Sequence, residues 1–222
     1  MIHAQLSPSA LVANARAAGV AGAVVDLRRD AWGHGIRFAL PVLADCAVGG
    51  VIVDERDHSA AVEAGVEMTD AAATVDGRHL FGLPGPSGAP GDPVMTARSR
   101  VLSLKTLRRG EGVSYGYTHR ATEDTRIALV SGGYGQGVLR ALGNRVSVEI
   151  AGDLHPVVGR VAMDVFVVDI GAAAVASGDE VVLFGGDGAA KDAVRSWVAA
   201  TGLDAAELVC AIGLRAHREV AA

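Results

Sequence analysis

The stretch Gly110-Glu111-Gly112-Val113-Ser114-Tyr115-Gly116 places a tyrosine among small residues, in a loop that follows a strand-like run. Small neighbours leave the phenol of Tyr115 accessible to a ligand, and binding or catalytic residues are often carried on loops. A loop tyrosine of this kind is more often structural or merely exposed. On its own, the stretch therefore predicts a loop with an accessible phenol and leaves its role open.

Two further stretches share this mixture of a strand end, glycines and a few reactive side chains. Ser131-Gly132-Gly133-Tyr134-Gly135-Gln136-Gly137 carries four glycines, which indicate either close backbone approach to a ligand or a tight turn. It does not complete the G-x-G-x-x-G pattern of dinucleotide sites. Val158-Gly159-Arg160-Val161-Ala162-Met163-Asp164 is an apolar strand that ends in a methionine and a carboxylate, usually core filler and a turn residue.

Together, in this order and spacing, the three stretches resemble the carboxy-terminal domain of the alanine racemase family. The resemblance continues through residues 178–185 and 207–215 and covers the chain from about Val94 to its end. It implies a mainly-β domain over 94–222 and a function related to the interconversion of L- and D-alanine, with pyridoxal phosphate as cofactor.

The resemblance also implies roles for four side chains. Tyr115 matches the tyrosine that acts as general acid or base, and in the family this tyrosine serves the active site of the neighbouring subunit. Tyr134, Met163 and Asp164 match residues on the substrate side of that site. A phenol has an ordinary pKa near 10, so Tyr115 suits proton transfer only if cationic neighbours lower its pKa.

The first 83 residues have a different sequence pattern, in which helical and strand-like segments alternate. Ser7-Pro8 is an N-cap and first-turn signal for a helix to about Ala18, and residues 23–27 and 49–54 read as buried parallel strands. A helix is predicted around 59–64. A complete (β/α)8 barrel takes about 250 residues, so 1–83 is predicted to be a truncated barrel fragment with open sheet edges.

A linker is predicted at 84–93, because four of the seven prolines lie in this glycine-rich stretch. After it, strand-like runs bounded by turns predict a β barrel or sandwich. A helix is expected near 190–200, and Asp204 with Glu207 forms a capping-box signal for a last helix. The predicted strands are 101–107, 126–130, 146–150, 156–162, 165–170 and 180–184.

The amino-terminal part departs from the family at its cofactor motif. Asp30-Ala31-Trp32-Gly33-His34-Gly35 resembles the family's DAYGHG, which follows the lysine that binds pyridoxal phosphate. The residues just before it here are Asp26-Leu27-Arg28-Arg29. None of them can form a Schiff base, because that step needs a neutral amine and a guanidinium stays protonated. We therefore predict no cofactor-binding residue in this chain.

The remaining lysines do not offer a substitute. Only two of the 20 basic residues are lysines, and they are Lys105 and Lys191. By resemblance Lys105 lies away from the cofactor, and Lys191 is expected at the solvated start of a helix. Trp32 and Ala206 also replace family tyrosines, and Ala206 matches the one that helps hold the cofactor phosphate.

Three hypotheses follow. The chain is a degenerate, inactive racemase homologue that binds a small ligand such as an amino acid, or another protein, without turnover. Alternatively it is an active pyridoxal-phosphate-dependent racemase that uses Lys105 or Lys191. The third hypothesis is a partner subunit that supplies Tyr115 in trans to a full-length racemase. The family pattern implies a homodimer or such a mixed pair.

Composition narrows the class of partner and the compartment. The formal charge is only -5, half of the chain is hydrophobic, and no basic run suggests a nucleic-acid or membrane partner. Cys46 and Cys210 are far apart on apolar stretches, as in reduced proteins, and no secretory signal is evident, so a cytoplasmic protein is expected. The histidines lack metal-ligand spacing; His34 is interpreted as structural, and no metal is expected.

Overall fold

The computed structural model describes residues 1–85 and 91–221, and the chain forms two compact units. The barrel unit comprises Met1–Ala4, Thr96–Leu203 and Arg215–His217. The βα unit comprises Gln5–Met95, Asp204–Leu214 and Arg218–Ala222. The segment 204–214 therefore belongs to the unit that contains the amino-terminal residues. Part of the predicted 84–93 linker, residues 86–90, lies outside the described residues.

The described strands and helices alternate in the first part of the chain and are mainly strands in the second. The strands are β1 (His3–Leu6), β2 (Val24–Asp26), β3 (Gly50–Ile52), β4 (Met95–Leu107), β5 (Gly112–Val113), β6 (His119–Arg120), β7 (Thr125–Ser131), β8 (Ser147–Ile150), β9 (Asp153–Val158), β10 (Val165–Asp169), β11 (Glu180–Phe184) and β12 (His217–Val220). The helical segments are α1 (Pro8–Ala18), α2 (Arg28–Trp32), α3 (Ile36–Asp45), α4 (His58–Glu63), α5 (Gly77–Phe81), α6 (Ala193–Thr201) and α7 (Ala205–Gly213).

Six strands of the barrel unit form a closed ring. Their neighbour order is β4-β7-β10-β9-β8-β11, and β11 pairs again with β4. Long β4 makes closure possible, because residues 97–100 pair with β11 and residues 101–107 pair with β7. Each strand of the ring then has a neighbour on both sides, which removes free edges. Of the two alternatives predicted for this half, the barrel is confirmed.

The predicted strand 156–162 is wrong at its carboxyl end. The observed β9 stops at Val158, and Gly159 follows in the left-handed region with φ of 75°. A left-handed residue cannot continue an extended strand, so the chain turns away from the barrel wall here. Residues 160–164 are thereby placed in a loop, where their side chains are available to a site. The strand predicted at 180–184 has the bounds of β11.

The βα unit begins with the helix that the sequence predicts. The Ser7 hydroxyl accepts a hydrogen bond from the Ala10 N–H at 3.2 Å, Pro8 occupies the first turn, and α1 ends at left-handed Gly19. Strands β2 and β3 then pair in parallel, with Val25 opposite Val51. Two parallel strands within βα connections are what the alternating pattern predicted.

Both outer edges of the β2–β3 pair are covered by one segment, residues 67–74. On the β3 side, Val51 donates to the carbonyl of Glu67 at 2.8 Å and accepts from the Thr69 N–H at 3.0 Å. On the β2 side, Val24 accepts from the Thr74 N–H at 2.9 Å and donates to the Thr74 hydroxyl at 3.0 Å. The exposed edges expected for a barrel fragment are thus paired with the chain's own backbone.

No single helix in residues 1–85 and 91–221 is long and apolar enough to cross a membrane. Only α6 and α7 taken together, bent by 109°, reach the length and apolar composition of a membrane span. In the same residues, no group of three or more His, Cys, Asp or Glu side chains is arranged to hold a metal ion.

Candidate functional site

Tyr115 lies at the tip of the short β5–β6 hairpin. The two strands pair through Gly112 with Arg120 and Val113 with His119. The hairpin packs through Val113 on a small apolar cluster of the barrel unit. At its tip, the Tyr115 side chain is 72% exposed. The cluster consists of Leu107, Ala121 and Ile127, with Val113 and Val167 packed against it.

The backbone at this tip is strained. Ser114 has φ of 63° and ψ of 177°, a conformation that is almost restricted to glycine, and Gly116 and Tyr117 also have positive φ. The Ser114 hydroxyl donates to the carbonyl of Arg160 at 2.5 Å, which ties the tip to the loop that follows β9. Strain of this kind, about 1–3 kcal/mol per residue, persists where surrounding contacts enforce it and is often found at functional sites.

Tyr115 borders a cavity of about 590 Å³, which we call the tyrosine pocket. Its floor is an apolar part of the barrel wall, and its rim carries two phenols and the guanidinium of Arg160. Sequence reasoning missed Tyr117, which directly follows the Gly110–Gly116 stretch, and Arg160, which lies inside the Val158–Asp164 stretch. The pocket is lined by Ser114, Tyr115, Gly116, Tyr117, Leu129, Arg160, Ala162, Val165, Phe166 and Val167.

Tyr134 and the Met163-Asp164 pair are brought together by backbone contacts. Tyr134 begins a 3₁₀ turn after β7, and its N–H donates to the carbonyl of Ala162 at 3.0 Å. The Gly135 N–H donates to the carbonyl of Met163 at 2.9 Å, and the Gln136 amide donates to the Asp164 carboxylate at 3.1 Å. These bonds bring Tyr134, Met163 and Asp164 close together in the barrel unit.

The glycines of this segment allow that contact. A Cβ added to Gly133 would collide with the backbone carbonyl oxygens of Ala162 and Met163. Among the described residues, Tyr134, Met163 and Asp164 do not line the tyrosine pocket, but Ala162 and Val165, which flank the Met-Asp pair, do. The structure therefore places Tyr115 in a cavity beside, but not lined by, the other three predicted residues.

The βα unit contains a second cavity, of about 420 Å³, at the carboxyl ends of β2 and β3. We call it the strand-end pocket. Arg28, Trp32 and Ala206, the positions where the sequence departs from the expected cofactor side, all line it. The lining contains both charges, an indole and a thiol, but no amine. It consists of Asp26, Arg28, Arg29, Trp32, Asp54, Ala206, Glu207 and Cys210.

Asp26 holds Arg28 in place through several hydrogen bonds. Its carboxylate accepts from the Arg28 backbone N–H at 3.0 Å, from Nε at 3.0 and 3.1 Å, and from Nη2 at 2.5 Å. Partial burial raises the pKa of Asp26, but hydrogen bonds from Arg28 and its charge outweigh that effect and lower it overall. The same bonds and the charge of Asp26 raise the pKa of Arg28. Both groups are ionised at neutral pH.

The DAWGHG motif forms a left-handed turn in α2. Residues 29–32 all have φ between 51° and 58°, a backbone conformation that is costly for residues other than glycine. One local and one long-range hydrogen bond enforce the turn: the Asp30 carboxylate accepts from the Ile36 N–H at 2.7 Å and from Arg218 Nη1 at 2.5 Å. Gly33 then lies so close to α7 that an added Cβ would be 3.0 Å from the Cys210 Cα.

His34 is fully buried in this turn, as its structural interpretation predicts. Its ring stacks on Phe81 with centroids 4.1 Å apart, and Nδ1 lies 3.1 Å from the carbonyl of Ala31. Burial lowers its pKa from 6.5 to about 4, so the ring is neutral at physiological pH. Within the described residues, Nε2 has no hydrogen-bond partner. His34 packs the turn and does not line the strand-end pocket.

Curated proteins similar in sequence are racemases. An alanine racemase from Mycobacterium leprae is 40% identical over 148 residues, which cover 64% of this chain and 38% of that protein. One from Mycobacterium tuberculosis H37Rv is 48% identical over 115 residues, which cover 49% of this chain and 30% of that protein. The chain thus spans about two fifths or less of the length of these relatives.

Solved structures of the same fold are also racemases. Alanine racemase from Streptomyces coelicolor A3(2) superposes with a TM-score of 0.85 at 20% identity, covering 99% of this chain and 97% of that one. The Bartonella henselae alanine racemase, described with covalently bound pyridoxal phosphate, gives a TM-score of 0.77 at 15% identity, with 99% of both chains covered. The family model "Alanine racemase, C-terminal domain" matches residues 94–220, more than half of the sequence, and the chain therefore belongs to the alanine racemase family.

Proposed function

We propose that this alanine-racemase-like chain is a degenerate homologue that does not interconvert L- and D-alanine by itself. In this proposal residues 1–83 are the remnant of a truncated (β/α) barrel, and the chain binds a small ligand, such as an amino acid, or another protein without turnover. We further propose a cytoplasmic protein that forms a homodimer through its β domain, as the family pattern implies.

One observation carries this proposal: among residues 1–85 and 91–221, no lysine lines the strand-end pocket. Covalent attachment of pyridoxal phosphate needs an amine that can lose its proton. Both lysines of the sequence, Lys105 and Lys191, belong to the barrel unit, and the βα unit has none. At the position before the DAWGHG motif, the side chains are those of Arg28 and Arg29, whose guanidinium groups stay protonated.

The strand-end pocket therefore does not fit a cofactor held through a Schiff base. The family resemblance also implies fewer contacts to the cofactor phosphate, because Ala206 lacks the hydroxyl of the tyrosine that it replaces. The barrel unit, by contrast, retains the Tyr115 tip and the Tyr134 contact to Met163-Asp164. A chain with the proton-transfer phenol but no site for the cofactor that acidifies the substrate is expected to be inactive alone.

The test of this proposal is turnover of L-alanine by the purified chain with excess pyridoxal phosphate in deuterium oxide. Incorporation of deuterium at the α-carbon reports proton abstraction even when racemisation is incomplete. We expect the rate to equal that of two controls, namely pyridoxal phosphate without protein and pyridoxal phosphate with the Tyr115→Phe variant in place of the wild type. A wild-type rate above both controls would show an active enzyme, and the adduct would then lie on Lys105 or Lys191.

A second candidate function is a partner subunit that supplies Tyr115 in trans to a full-length racemase. It is favoured by the 72% exposure of Tyr115 at the tip of a hairpin in an open pocket. The experiment is co-purification with a complete racemase whose own equivalent tyrosine is replaced by phenylalanine. Recovery of activity with wild type, and none with Tyr115→Phe, is expected if the phenol acts across the pair. Absence of any complex would reject this function.

A further inference from the structure

We propose that Asp26 is an electrostatic lock on the strand-end pocket: it would keep an amine at position 28 charged, so restoring Schiff-base chemistry takes two substitutions and not one. This inference rests on the proposed loss of the cofactor site and names the residue pair that enforces the loss. If an arginine in place of a lysine were the only obstacle, the single substitution Arg28→Lys would remove it. The geometry points to a second obstacle.

Residue 28 lies at the edge of the sheet where β2 ends. Asp26 is the last residue of β2, and Arg28 is the first residue of α2. The charge of Asp54 also acts on Arg28, in the same direction as that of Asp26. Both Asp26 and Arg28 line the strand-end pocket. A shorter, unbranched side chain at position 28 starts from the same Cα and ends in the same cavity. Position 28 is thus placed to present an amine to a ligand there.

The Asp26 carboxylate accepts four hydrogen bonds from residue 28. Three come from the guanidinium of Arg28 and one comes from the Arg28 backbone N–H, which remains after any substitution at that position. The Asp26 side chain is only 21% exposed, whereas that of Arg28 is 56% exposed. The carboxylate is therefore a fixed anion, and a cation at position 28 pairs with it.

The chemistry follows from this pairing. Schiff-base formation requires the neutral amine to attack the aldehyde carbon; the C=N bond forms and the aldehyde oxygen leaves as water. An ammonium has no free electron pair for this attack. A carboxylate within ion-pair distance favours the charged amine. Each half unit that Asp26 adds to the pKa of the amine lowers its neutral fraction about threefold at fixed pH.

The experiment compares Arg28→Lys with the double variant Arg28→Lys/Asp26→Asn. Each protein is incubated with pyridoxal phosphate and reduced with borohydride, which converts the C=N bond to a stable amine. Peptide mass spectrometry then measures the adduct at position 28 separately from Lys105, Lys191 and the amino terminus. We expect the double variant to form the adduct at least about threefold faster than the single variant at the same pH.

A matched control is available on the surface of the βα unit. Arg37 pairs with Glu63 at 2.8 Å, and both side chains are largely exposed, outside the strand-end pocket. Arg37→Lys and Arg37→Lys/Glu63→Gln therefore add an amine with and without its carboxylate but without a cavity. We expect both to react at the background rate of a surface lysine, and circular dichroism and a thermal melt verify that all four variants are folded.

The outcomes are distinct. Equal adduct yields in Arg28→Lys and the double variant would overturn the lock. Adduct no greater than in the Arg37 controls would overturn the placement of position 28 in a ligand-accessible pocket. Neither result bears on the proposed function, which fails only if the wild-type chain turns over L-alanine. Faster reaction of the double variant, confined to position 28, is the expected result.

Discussion

The two cavities of this chain differ in the reactive side chains that line them. The tyrosine pocket of the barrel unit retains a phenol on a strained hairpin tip, beside a guanidinium and an apolar floor. The strand-end pocket of the βα unit has its charges neutralised internally, above all by Asp26 and Arg28. The two pockets therefore differ in the reactive groups that they present to a ligand.

The two units also differ in how their sheets are completed. The barrel unit closes a ring of six strands, so every ring strand is paired by other strands. In the βα unit, β2 and β3 form a two-stranded sheet, and residues 67–74 pair with both of its outer edges. A small parallel sheet can thus be free of open edges without closing into a barrel.

Gly133→Ala tests how the barrel unit holds Tyr134 against the loop with Met163 and Asp164. The φ of Gly133 is -152°, which alanine tolerates, so the expected destabilisation of about 3 kcal/mol comes from the collision with the Ala162 and Met163 carbonyls. Urea unfolding measures it. Gly110→Ala is the control: its φ is 85° with open space around it, and it is expected to cost about 1 kcal/mol. Equal effects would contradict the close contact.

His34→Phe tests the burial of His34 in the βα unit through the pH dependence of the protein's stability. The folded-state pKa of His34 is about 4 against an ordinary 6.5, so between these values only the unfolded chain takes up the proton. The wild type should therefore be fully stabilised by this residue above pH 6.5 and lose about 2–3 kcal/mol as the pH falls towards 4. Thermal melts at several pH values should show a smaller loss for His34→Phe, and parallel curves would refute the assignment.

Thr74→Val tests the covered edge of β2. The change removes the hydroxyl that accepts from the Val24 N–H and keeps the Thr74 backbone bond. The free energy of unfolding should fall by about 1 kcal/mol, because a backbone donor loses its acceptor. Hydrogen exchange should accelerate at Val24 more than at Val51, on the opposite edge. Unchanged protection of Val24 would mean that solvent already satisfies this edge.

Tyr115→Phe is expected to have the smallest effect on stability. The side chain is 72% exposed, so loss of the hydroxyl should change the free energy of unfolding by less than about 0.5 kcal/mol. Chemical denaturation of the two proteins measures the difference. A loss of more than about 1 kcal/mol would indicate that the phenol is a structural group and not an available one.

Local signals predicted much of the fold. Ser7-Pro8 predicted the start of α1, the Asp204–Glu207 capping box predicted the start of α7, and the run at 180–184 predicted β11. Each of these depends on residues that are adjacent in the sequence. The joint match of the three tyrosine and Met-Asp motifs likewise identified the family, which the comparisons confirm.

Features set by distant contacts could not be predicted in this way. The left-handed turn at 29–32 is held by Arg218, which is 188 residues from Asp30, and no local pattern reveals that bond. The end of β9 depends on Gly159, whose left-handed conformation accommodates Ser114 of the hairpin tip. The Asp26–Arg28 pair was hidden because each residue alone looks like an ordinary charge at a strand end.

The most direct test of the central claim is a peptide map of the wild-type chain after incubation with pyridoxal phosphate, dialysis and borohydride reduction. In that proposal the chain retains the tyrosine pocket but has no lysine that can hold the cofactor. We predict no adduct that survives dialysis, and only trace labelling at surface amines. A stoichiometric adduct on Lys105 or Lys191 would contradict the account, because it would give this chain the attachment site that the strand-end pocket lacks.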